Sequence, residues 1–222
     1  MKIIGHRGAR GLAPENTIAA LRKGLEHHAD MLELDLRVTK DGMVILHHDA
    51  DLTDPNGTKR AVDSHTYEEL KTHKKDLATF EEVLKTIGRA VPLYIEVKRE
   101  VRIGPIIKII KKCLESSWKP TDFLLGSKSQ KTLLELHASL PEIEKVVIEP
   151  WSGVRAHYRA RQLGAKRISM NQLWLWWGFI RGFKNSGRQL YAYTLNDPAK
   201  ARRWARYGLA GVVTDYPDRF DK

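Results

Sequence analysis

The chain has 222 residues, of which 42% are hydrophobic and 29% charged, so length and composition suit one compact domain, with two small domains as the alternative. The start, MKIIGHRG, lacks a signal-peptide core, and no apolar run is long enough to cross a bilayer, so we expect a cytoplasmic protein. The single cysteine, Cys113, excludes an internal disulfide. The net charge of +11 fits attraction to nucleic acid, anionic membrane or phosphorylated small molecules, but the basic residues are scattered and most are expected on solvated helix faces.

Short apolar segments alternate with helical patterns along the whole chain. The predicted strands, rich in Ile, Val, Leu or Tyr, are residues 2–5, 31–38, 43–48, 92–98, 122–126, 144–149, 166–170, 189–194 and 210–214. A turn at Asp41 and Gly42 makes 43–48 a hairpin partner of the strand before it, which leaves eight main strands. This alternation predicts a (β/α)8 TIM barrel, with a doubly wound open sheet as the competing architecture.

Start signals mark several of the helices between the strands. Thr66 with Glu69 and Thr79 with Glu82 form capping boxes. Asp197 is an N-cap that is followed by a proline at the first helical position. These signals predict where three of the covering helices begin.

Polar side chains lie on two of the predicted strands. In MLELDLRV the alternation of a strand puts Glu33, Asp35 and Arg37 on one face, and in PLYIEVKRE the same parity puts Glu96 with Lys98. Neighbouring carboxylates do not easily stay ionised unless a cation lies between them. Three carboxylates without a thiolate favour Mg or Ca over zinc. The alternative is a set of structural ion pairs with Arg37 and Lys98.

Histidines follow two of the predicted strands. His6 comes directly after the first strand, and His47 and His48 end the hairpin strand in VILHHDADL, where catalytic groups of a barrel gather. Two histidines near a carboxylate cluster can act as general acid and base at phosphorus, because their pKa values lie near working pH. Asp49 is placed to orient an imidazole. The alternative for each histidine is a structural role.

An ordered series of motifs resembles the glycerophosphodiester phosphodiesterase family. The motifs are HRG and PENT, then ELDLRVTKDG, VILHHD, LATFEEVL, YIEVK, YTLNDP and GVVTDYPD, and they span residues 3–218. The resemblance implies a (β/α)8 barrel that uses a divalent metal ion, Mg or Ca, to cleave glycerophosphodiesters into glycerol 3-phosphate and an alcohol. It also implies one domain over residues 1–222, with a small cap insertion at 49–78.

The resemblance assigns the catalytic centre motif by motif. The implied metal ligands are Glu33 and Asp35 of ELD and Glu96 of IEVK. The implied acid–base pair is His6 of HRG and His48 of VILHHD. The same positions therefore carry the chemistry that strand parity and residue type already favour.

Further residues are implied contacts of the substrate. Arg7 and Lys98 are expected to hold the phosphate. Glu15 and Asn16 of PENT are expected to brace the opening loop or bind glycerol hydroxyls, with a simple helix cap as the alternative. Tyr193 stands where tryptophan is common in the family and is an expected substrate contact.

Two positions depart from the usual family pattern. Asp54, within the 49–78 insertion, stands where the family usually has an arginine, and we expect this change to affect selection of the alcohol headgroup. Lys128 stands where the family usually has an aromatic residue after Ser127.

The run NQLWLWWGFIRGF is unusually aromatic. A helical projection spreads Trp174, Trp177, Phe179 and Phe183 over too wide an arc for one buried stripe. At least one of the tryptophans, Trp176 included, is therefore expected to face outward from a helix that packs on the barrel. Ordinary packing is the favoured reading, and contact with a lysolipid chain, a membrane surface or a second subunit is the alternative.

Two other functions are consistent with parts of the sequence. A lysophospholipase D-like hydrolysis of lysolipids would make use of the tryptophan run. A catalytically silent basic module that binds nucleic acid or anionic membrane predicts the loss of a metal-ligand or histidine position, yet every one is present, and no nucleic-acid-binding motif appears. The expected partner is a small-molecule glycerophosphodiester rather than nucleic acid.

Overall fold

Eleven short strands lie in the part of the chain that the structure, a computed structural model, describes, namely residues 1–54 and 56–220. They are β1 (Lys2–Gly5), β2 (Met31–Val38), β3 (Val44–Leu46), β4 (Asp51–Thr53), β5 (Lys59–Ala61), β6 (Leu93–Val97), β7 (Phe123–Ser127), β8 (Glu144–Glu149), β9 (Arg167–Asn171), β10 (Gln189–Tyr193) and β11 (Gly211–Thr214). Eight of them pair in parallel in the order β1, β2, β6, β7, β8, β9, β10 and β11, and β11 pairs with β1. This closure confirms the (β/α)8 barrel and excludes the open sheet.

Eight α-helices lie in the described parts of the chain, and all except α2, which belongs to the 49–78 insertion, cover the outside of the barrel. They are α1 (Ile18–Glu26), α2 (Tyr67–His73), α3 (Phe80–Ile87), α4 (Gly104–Leu114), α5 (Gln130–Ser139), α6 (Gly153–Gln162), α7 (Trp177–Asn185) and α8 (Pro198–Ala205). Thr66 and Thr79 form the predicted capping boxes, and the Asp197 side chain accepts hydrogen bonds from the first-turn amides of α8. No helix in the described ranges is long and apolar enough to cross a membrane.

The two faces of β2 show how the barrel separates its interior from the helix layer. Leu32, Leu34 and Leu36 are fully buried and pack in one apolar cluster with residues of α1 and α3. Glu33 and Asp35 alternate with them and therefore point into the barrel. The predicted alternation of β2 is confirmed, and it places two carboxylates inside the barrel.

The 49–78 insertion packs on the barrel as a small unit with its own apolar cluster. The predicted hairpin that precedes it is confirmed, since β2 and β3 pair antiparallel around Gly42, whose φ is +88°. The unpredicted strands β4 and β5 form a second antiparallel hairpin within the insertion. The cluster beneath it consists of Ile45, Leu52, Val62, Leu70 and Leu77.

Three residues lie outside the described parts of the chain. They are Pro55, inside the predicted 49–78 insertion, and Asp221 and Lys222, at the end of the predicted 1–222 domain. Those two predicted ranges are therefore described except at these positions.

The aromatic run does not form the continuous helix that was predicted. A 3-10 turn covers Gln172–Trp174, Leu175 and Trp176 are extended, and α7 begins only at Trp177. The reason is local, because the Asn171 side chain accepts a hydrogen bond from the Leu173 amide and caps a short turn. The outward orientation is confirmed, since more than half of the surface of Trp174, Trp176 and Trp177 is exposed.

Candidate active site

A polar pocket of about 250 Å³ opens at the C-terminal ends of the barrel strands, where barrel active sites lie. The predicted site residues on its wall are His6, Arg7, Glu33, His48, Glu96 and Tyr193. Arg10 and Lys128 also line it. Asp35, Lys98 and Glu15 do not line the pocket, but each forms an ion pair with a residue that does.

Glu33, Asp35 and Glu96 converge at the wall of the pocket, with Asp35 behind the other two. One oxygen of each lies within 4.8 Å of the others, and all three residues are at least nine-tenths buried. Strand register explains this, since Asp35 of β2 lies opposite Glu96 of β6. Burial raises the pKa of Glu33 well above its ordinary value, and the nearby charges of Asp35 and Glu96 add to the effect. A cluster of three buried carboxylate oxygens suits a hard divalent cation.

Lys98 and Arg7 hold the negative charge of Asp35. Lys98 Nζ lies 2.5 Å from Asp35 Oδ1 and 2.7 Å from Glu96 Oε1, and Arg7 Nε lies 3.2 Å from Asp35 Oδ2. Burial alone would raise the pKa of Asp35, but these two cations hold it well below its usual range. The predicted ion pair with Lys98 therefore exists beside the carboxylate cluster. The predicted pair with Arg37 does not form, because its guanidinium donates to the His48 carbonyl oxygen instead.

The opening loop brings Arg7 to the pocket through an unusual backbone. Arg7 has a φ of +51° and Gly8 a φ of +89°. A Cβ on Gly8 would lie 2.4 Å from the backbone carbon of Ala20, so only glycine fits against α1. The Arg7 amide donates to Glu33 Oε2 at 2.8 Å, and its guanidinium donates to Glu15 Oε1 at 2.7 Å. Glu15 thus braces Arg7, one of its two predicted roles.

Asn16 fixes the orientation of Asp35. Its Nδ2 donates to Asp35 Oδ2 at 2.9 Å, and its Oδ1 accepts from the Asp35 amide at 3.1 Å. Asn16 is buried and has a φ of +56°, a conformation that asparagine tolerates better than most residues. The bracing role predicted for Asn16 therefore acts on the carboxylate cluster itself.

His6 is oriented by a residue that sequence reasoning did not single out. Its Nδ1 lies 2.6 Å from Asp215 Oδ1, and Asn196 Nδ2 donates to Asp215 Oδ2 at 3.0 Å. Burial alone would raise the pKa of Asp215, but these hydrogen bonds hold it below its usual range. The signal was present in the motif GVVTDYPD, because Asp215 directly follows the last barrel strand, the position that His6 has after the first.

His48 lies on the pocket wall and His47 does not. His48 Nδ1 is 2.7 Å from Asp49 Oδ1, the partner predicted for it, while His47 Nε2 lies 3.1 Å from the Asp51 carbonyl oxygen in the insertion. Burial lowers the pKa of His48, and the positive charges of Lys98 and Arg7 lower it further. Burial therefore favours the neutral form of the His48 ring.

Tyr193 and Lys128 bring further polar atoms to the pocket. The Tyr193 hydroxyl is buried and makes no hydrogen bond to the described residues, so it can receive one from a ligand. Burial raises the pKa of Tyr193, and the charge of Glu96 adds to this. Lys128 Nζ lies 3.2 Å from Glu96 Oε1, and 42% of its side chain is exposed. Lys128 therefore puts a positive charge on the pocket wall.

Asp54 does not face the pocket. Its side chain accepts hydrogen bonds from the amides of Asn56 and Thr58 and from the Arg60 guanidinium, so it stabilises the turn of its own hairpin. No described residue of the 49–78 insertion lines the pocket. The direct effect on headgroup selection expected for Asp54 is therefore not supported by its position.

The chain is similar to known proteins over nearly its whole length. The model of the glycerophosphoryl diester phosphodiesterase family matches residues 6–219. The chain is 29% identical to a glycerophosphodiester phosphodiesterase of Bacillus subtilis over 99% of this chain and 85% of that protein. It is 34% identical to a lysophospholipase D of Mus musculus over 98% of this chain and 80% of that one.

A solved structure shares the fold. A phosphodiesterase of Oleispira antarctica, in complex with the product sn-glycerol-3-phosphate, matches 99% of this chain and 94% of its own with a TM-score of 0.87 and 24% identity.

Proposed function

Because this chain belongs to the glycerophosphoryl diester phosphodiesterase family, we propose that its pocket hydrolyses glycerophosphodiesters to glycerol 3-phosphate and an alcohol with the help of a divalent metal ion. Phosphodiesterase activity follows from the family. The metal dependence and the residue roles are the proposal. The observation that carries them is the convergence of Glu33, Asp35 and Glu96 at the wall of a pocket that His6 and His48 also line.

The three carboxylates are the proposed ligands of the metal ion. Their oxygens lie close together, they include no sulfur or imidazole donor, and they form a buried group of like charges that a cation would stabilise. These properties fit Mg or Ca. When bound, such an ion supplies positive charge that stabilises the negative charge developing on the phosphate oxygens.

His48 is the proposed general base. A neutral imidazole can take a proton, and the burial that lowers the pKa of His48 favours its neutral form. Asp49 at 2.7 Å fixes the ring. His48 would remove the proton from the attacking oxygen, either that of water or that of the substrate's own glycerol hydroxyl, as this oxygen bonds to phosphorus. Attack by the glycerol hydroxyl would give a cyclic phosphodiester, which water would then open to glycerol 3-phosphate.

His6 is the proposed general acid. Asp215 holds its Nδ1 at 2.6 Å and so orients the ring, which leaves Nε2 for the substrate. His6 would donate a proton to the oxygen of the departing alcohol as the bond to phosphorus breaks. Asp215 touches the imidazole rather than the substrate, so it is a positioning residue.

The remaining predicted contacts divide into two groups. Arg7 and Tyr193 line the pocket and are the proposed contacts of the phosphate and of a substrate hydroxyl, respectively. Glu15 acts on Arg7 through their ion pair. Lys98 lies behind the wall, so its proposed role is to neutralise Asp35 and Glu96. It could contact the phosphate only if its ammonium group moved away from these two carboxylates.

Lysophospholipase D-like hydrolysis is a second candidate, favoured by a specific observation. A pocket of about 250 Å³ is small, so an acyl chain would have to lie outside it. Exposed tryptophans in the loop after β9 offer an apolar surface there. The mouse lysophospholipase D that resembles this chain makes the same candidate worth testing.

One assay tests both candidates. Release of glycerol 3-phosphate would be measured for glycerophosphocholine, glycerophosphoethanolamine and glycerophosphoglycerol, and release of the headgroup for the matching lysolipids. Each reaction would contain Mg, Ca or a chelator. The proposal expects release from glycerophosphodiesters with metal and none with chelator, and metal-independent release would contradict it.

A further inference from the structure

Two neighbouring loops at one side of the barrel expose a group of large apolar side chains. We call this group the aromatic rim, and its members are Trp151, Leu173, Trp174, Trp176 and Trp177. Their exposed fractions are 62%, 76%, 51%, 57% and 55%, in that order. Exposed apolar residues scattered singly need no explanation, whereas a contiguous group of them marks an interaction surface.

The aromatic rim borders the mouth of the active-site pocket. Ile148 and Asn171 line the pocket, and the chain enters the rim within three residues of each of them. Trp151 and Trp174 join the two loops, since their ring centroids lie 6.1 Å apart in an edge-to-face arrangement. Because loops that follow barrel strands gather at the C-terminal face, a surface that covers the rim also lies over the mouth.

The rim continues into a shallow groove of about 380 Å³ that carries positive charge. Leu173, Trp176 and Trp177 form one part of the groove wall, and Lys200 and Arg203 of α8 form another. No carboxylate is among the described residues that line it. The net charge of +11 has the same sign. A groove with indole rings and cations but no acidic group complements an anionic headgroup that is joined to an apolar chain.

We infer that the aromatic rim and its groove dock this protein on an anionic lipid bilayer. Tryptophan favours the interface between headgroups and acyl chains, where its ring is buried and its N–H stays near water. Lys200 and Arg203 add attraction to acidic headgroups. Docking does not depend on the proposed function, but use of a docked lysolipid as substrate rests on it.

The chain offers a variant that removes rim surface with little structural cost. Trp176 occupies the N-cap position of α7 and makes no capping hydrogen bond. Serine is a favoured N-cap residue, so Trp176→Ser should preserve the helix while it removes an exposed indole. Trp174→Ser in addition removes the neighbouring ring. Leu134→Ser is the matched control, since Leu134 is 46% exposed on α5 and lies outside the rim.

A second pair of variants tests the positive charge of the groove. Arg203→Gln removes a cation that lines the groove, whereas Lys112→Gln removes an exposed cation from α4, which follows a different barrel strand. The two variants change the net charge equally. A difference between them therefore reports the position of the charge rather than its total.

The test is co-sedimentation of the full chain with vesicles of phosphatidylcholine alone or with added phosphatidylglycerol. We expect binding to the anionic vesicles, about tenfold weaker in Trp174→Ser/Trp176→Ser and weaker in Arg203→Gln, and unchanged in Leu134→Ser and Lys112→Gln. Equal binding to both vesicle types, or equal binding by the rim variants and their controls, would overturn the inference.

Two further measurements separate this inference from its competitors. A dimer in sedimentation velocity that Trp176→Ser dissociates would identify a second copy of the chain as the occupant of the rim and overturn membrane docking. Hydrolysis of water-soluble glycerophosphoglycerol reports the proposed function separately. Anionic vesicle binding by a protein that cleaves no glycerophosphodiester would support docking and contradict the proposed function.

Discussion

Two regions at the barrel mouth reverse the usual distribution of side chains. Below the mouth, Glu33, Asp35 and Glu96 are buried, while at its border Trp174 and Trp176 are more than half exposed. Buried charges and exposed large apolar groups both cost free energy in the isolated chain. In the functions proposed above, a divalent cation would stabilise the first region and a lipid bilayer would cover the second.

The two regions differ in how much of this free-energy cost is offset by contacts within the protein. The carboxylates already have Lys98 and Arg7 as counterions and Asn16 as a hydrogen-bond donor. The tryptophans have mainly each other, through edge-to-face contacts such as that of Trp176 with Trp177. Changes in the first region should therefore stop the chemistry, and changes in the second should alter which surface the enzyme reaches.

The largest expected effect is that of Glu33→Ala. Loss of a metal ligand removes several kcal/mol of charge stabilisation, so turnover should fall about a thousand-fold. The melting temperature should stay constant or rise, because burial and the nearby carboxylates make an ionised Glu33 unfavourable in the folded state. Glu144→Ala is the control, since Glu144 begins β8 at the opposite end of the barrel. Full activity of Glu33→Ala after chelation and metal addition would refute the ligand assignment.

The next largest loss of activity is expected from substitutions of His6 and of Asp215. His6→Ala should lower kcat by about a hundred-fold to ten-thousand-fold, the range of general acid–base catalysis. Asp215→Asn should lower kcat while KM changes little, and it should shift the pH profile, because the partner that orients the ring is altered. His137→Ala on the exposed side of α5 serves as the control. If Asp215→Asn left both kcat and the profile unchanged, the positioning role would be wrong.

The pH dependence of kcat/KM tests His48. A general base must be neutral, and burial lowers the pKa of His48 below its ordinary value of 6.5. Activity should therefore persist as the pH falls through 6.5 and decline only below it. His48→Ala should remove that acidic limb together with most of the activity. An acidic limb centred above pH 6.5 in the unmodified enzyme would contradict this assignment.

A smaller effect is expected at Lys128, between the two regions. Its positive charge on the pocket wall should disfavour a cationic choline headgroup relative to an uncharged glycerol headgroup. Lys128→Met should raise the ratio of kcat/KM for glycerophosphocholine over glycerophosphoglycerol by about fivefold. Lys131→Met, an exposed lysine on α5, should leave the ratio constant. An unchanged ratio in Lys128→Met would show that this charge does not select the headgroup.

The smallest effect on soluble substrate is expected in the aromatic rim. Trp176→Ser should change turnover of glycerophosphoglycerol by less than about twofold, because its ring lies outside the pocket lining. Turnover of the corresponding lysolipid in anionic vesicles should fall more. Equal losses on both substrates would mean that the rim supports the pocket itself, and the contrast between the two regions would fail.

Strand parity was enough to predict the inner face of the barrel. Alternation placed Glu33 and Asp35 on one face of β2 and three leucines on the other, and the motifs singled out His6 and His48, which the structure places on the pocket wall. Asp215 was missed because its role depends on closure of the barrel, which brings the loop after β11 beside the loop after β1. The placement of Lys98 behind the wall could not be predicted either, because parity gives a face and not the direction of a long side chain.

Local hydrogen bonds account for the other differences. The extended segment before α7 depends on the Asn171 side chain, which competes with helix formation. The hairpin of β4 and β5 has strands of three residues each, too short for a period of two to be recognised. In both places a few side-chain hydrogen bonds determine the local structure, and the pattern of apolar and polar residues does not reveal them.

One measurement tests directly whether the buried carboxylates hold a catalytic divalent ion. Release of glycerol 3-phosphate from glycerophosphoglycerol would be measured with one preparation of the full chain. The three conditions are before chelation, after chelation, and after Mg or Ca is added back. Activity should be lost with the chelator and recovered with the metal, and Glu33→Ala should show no recovery. Full activity in protein shown by elemental analysis to be free of metal would contradict it.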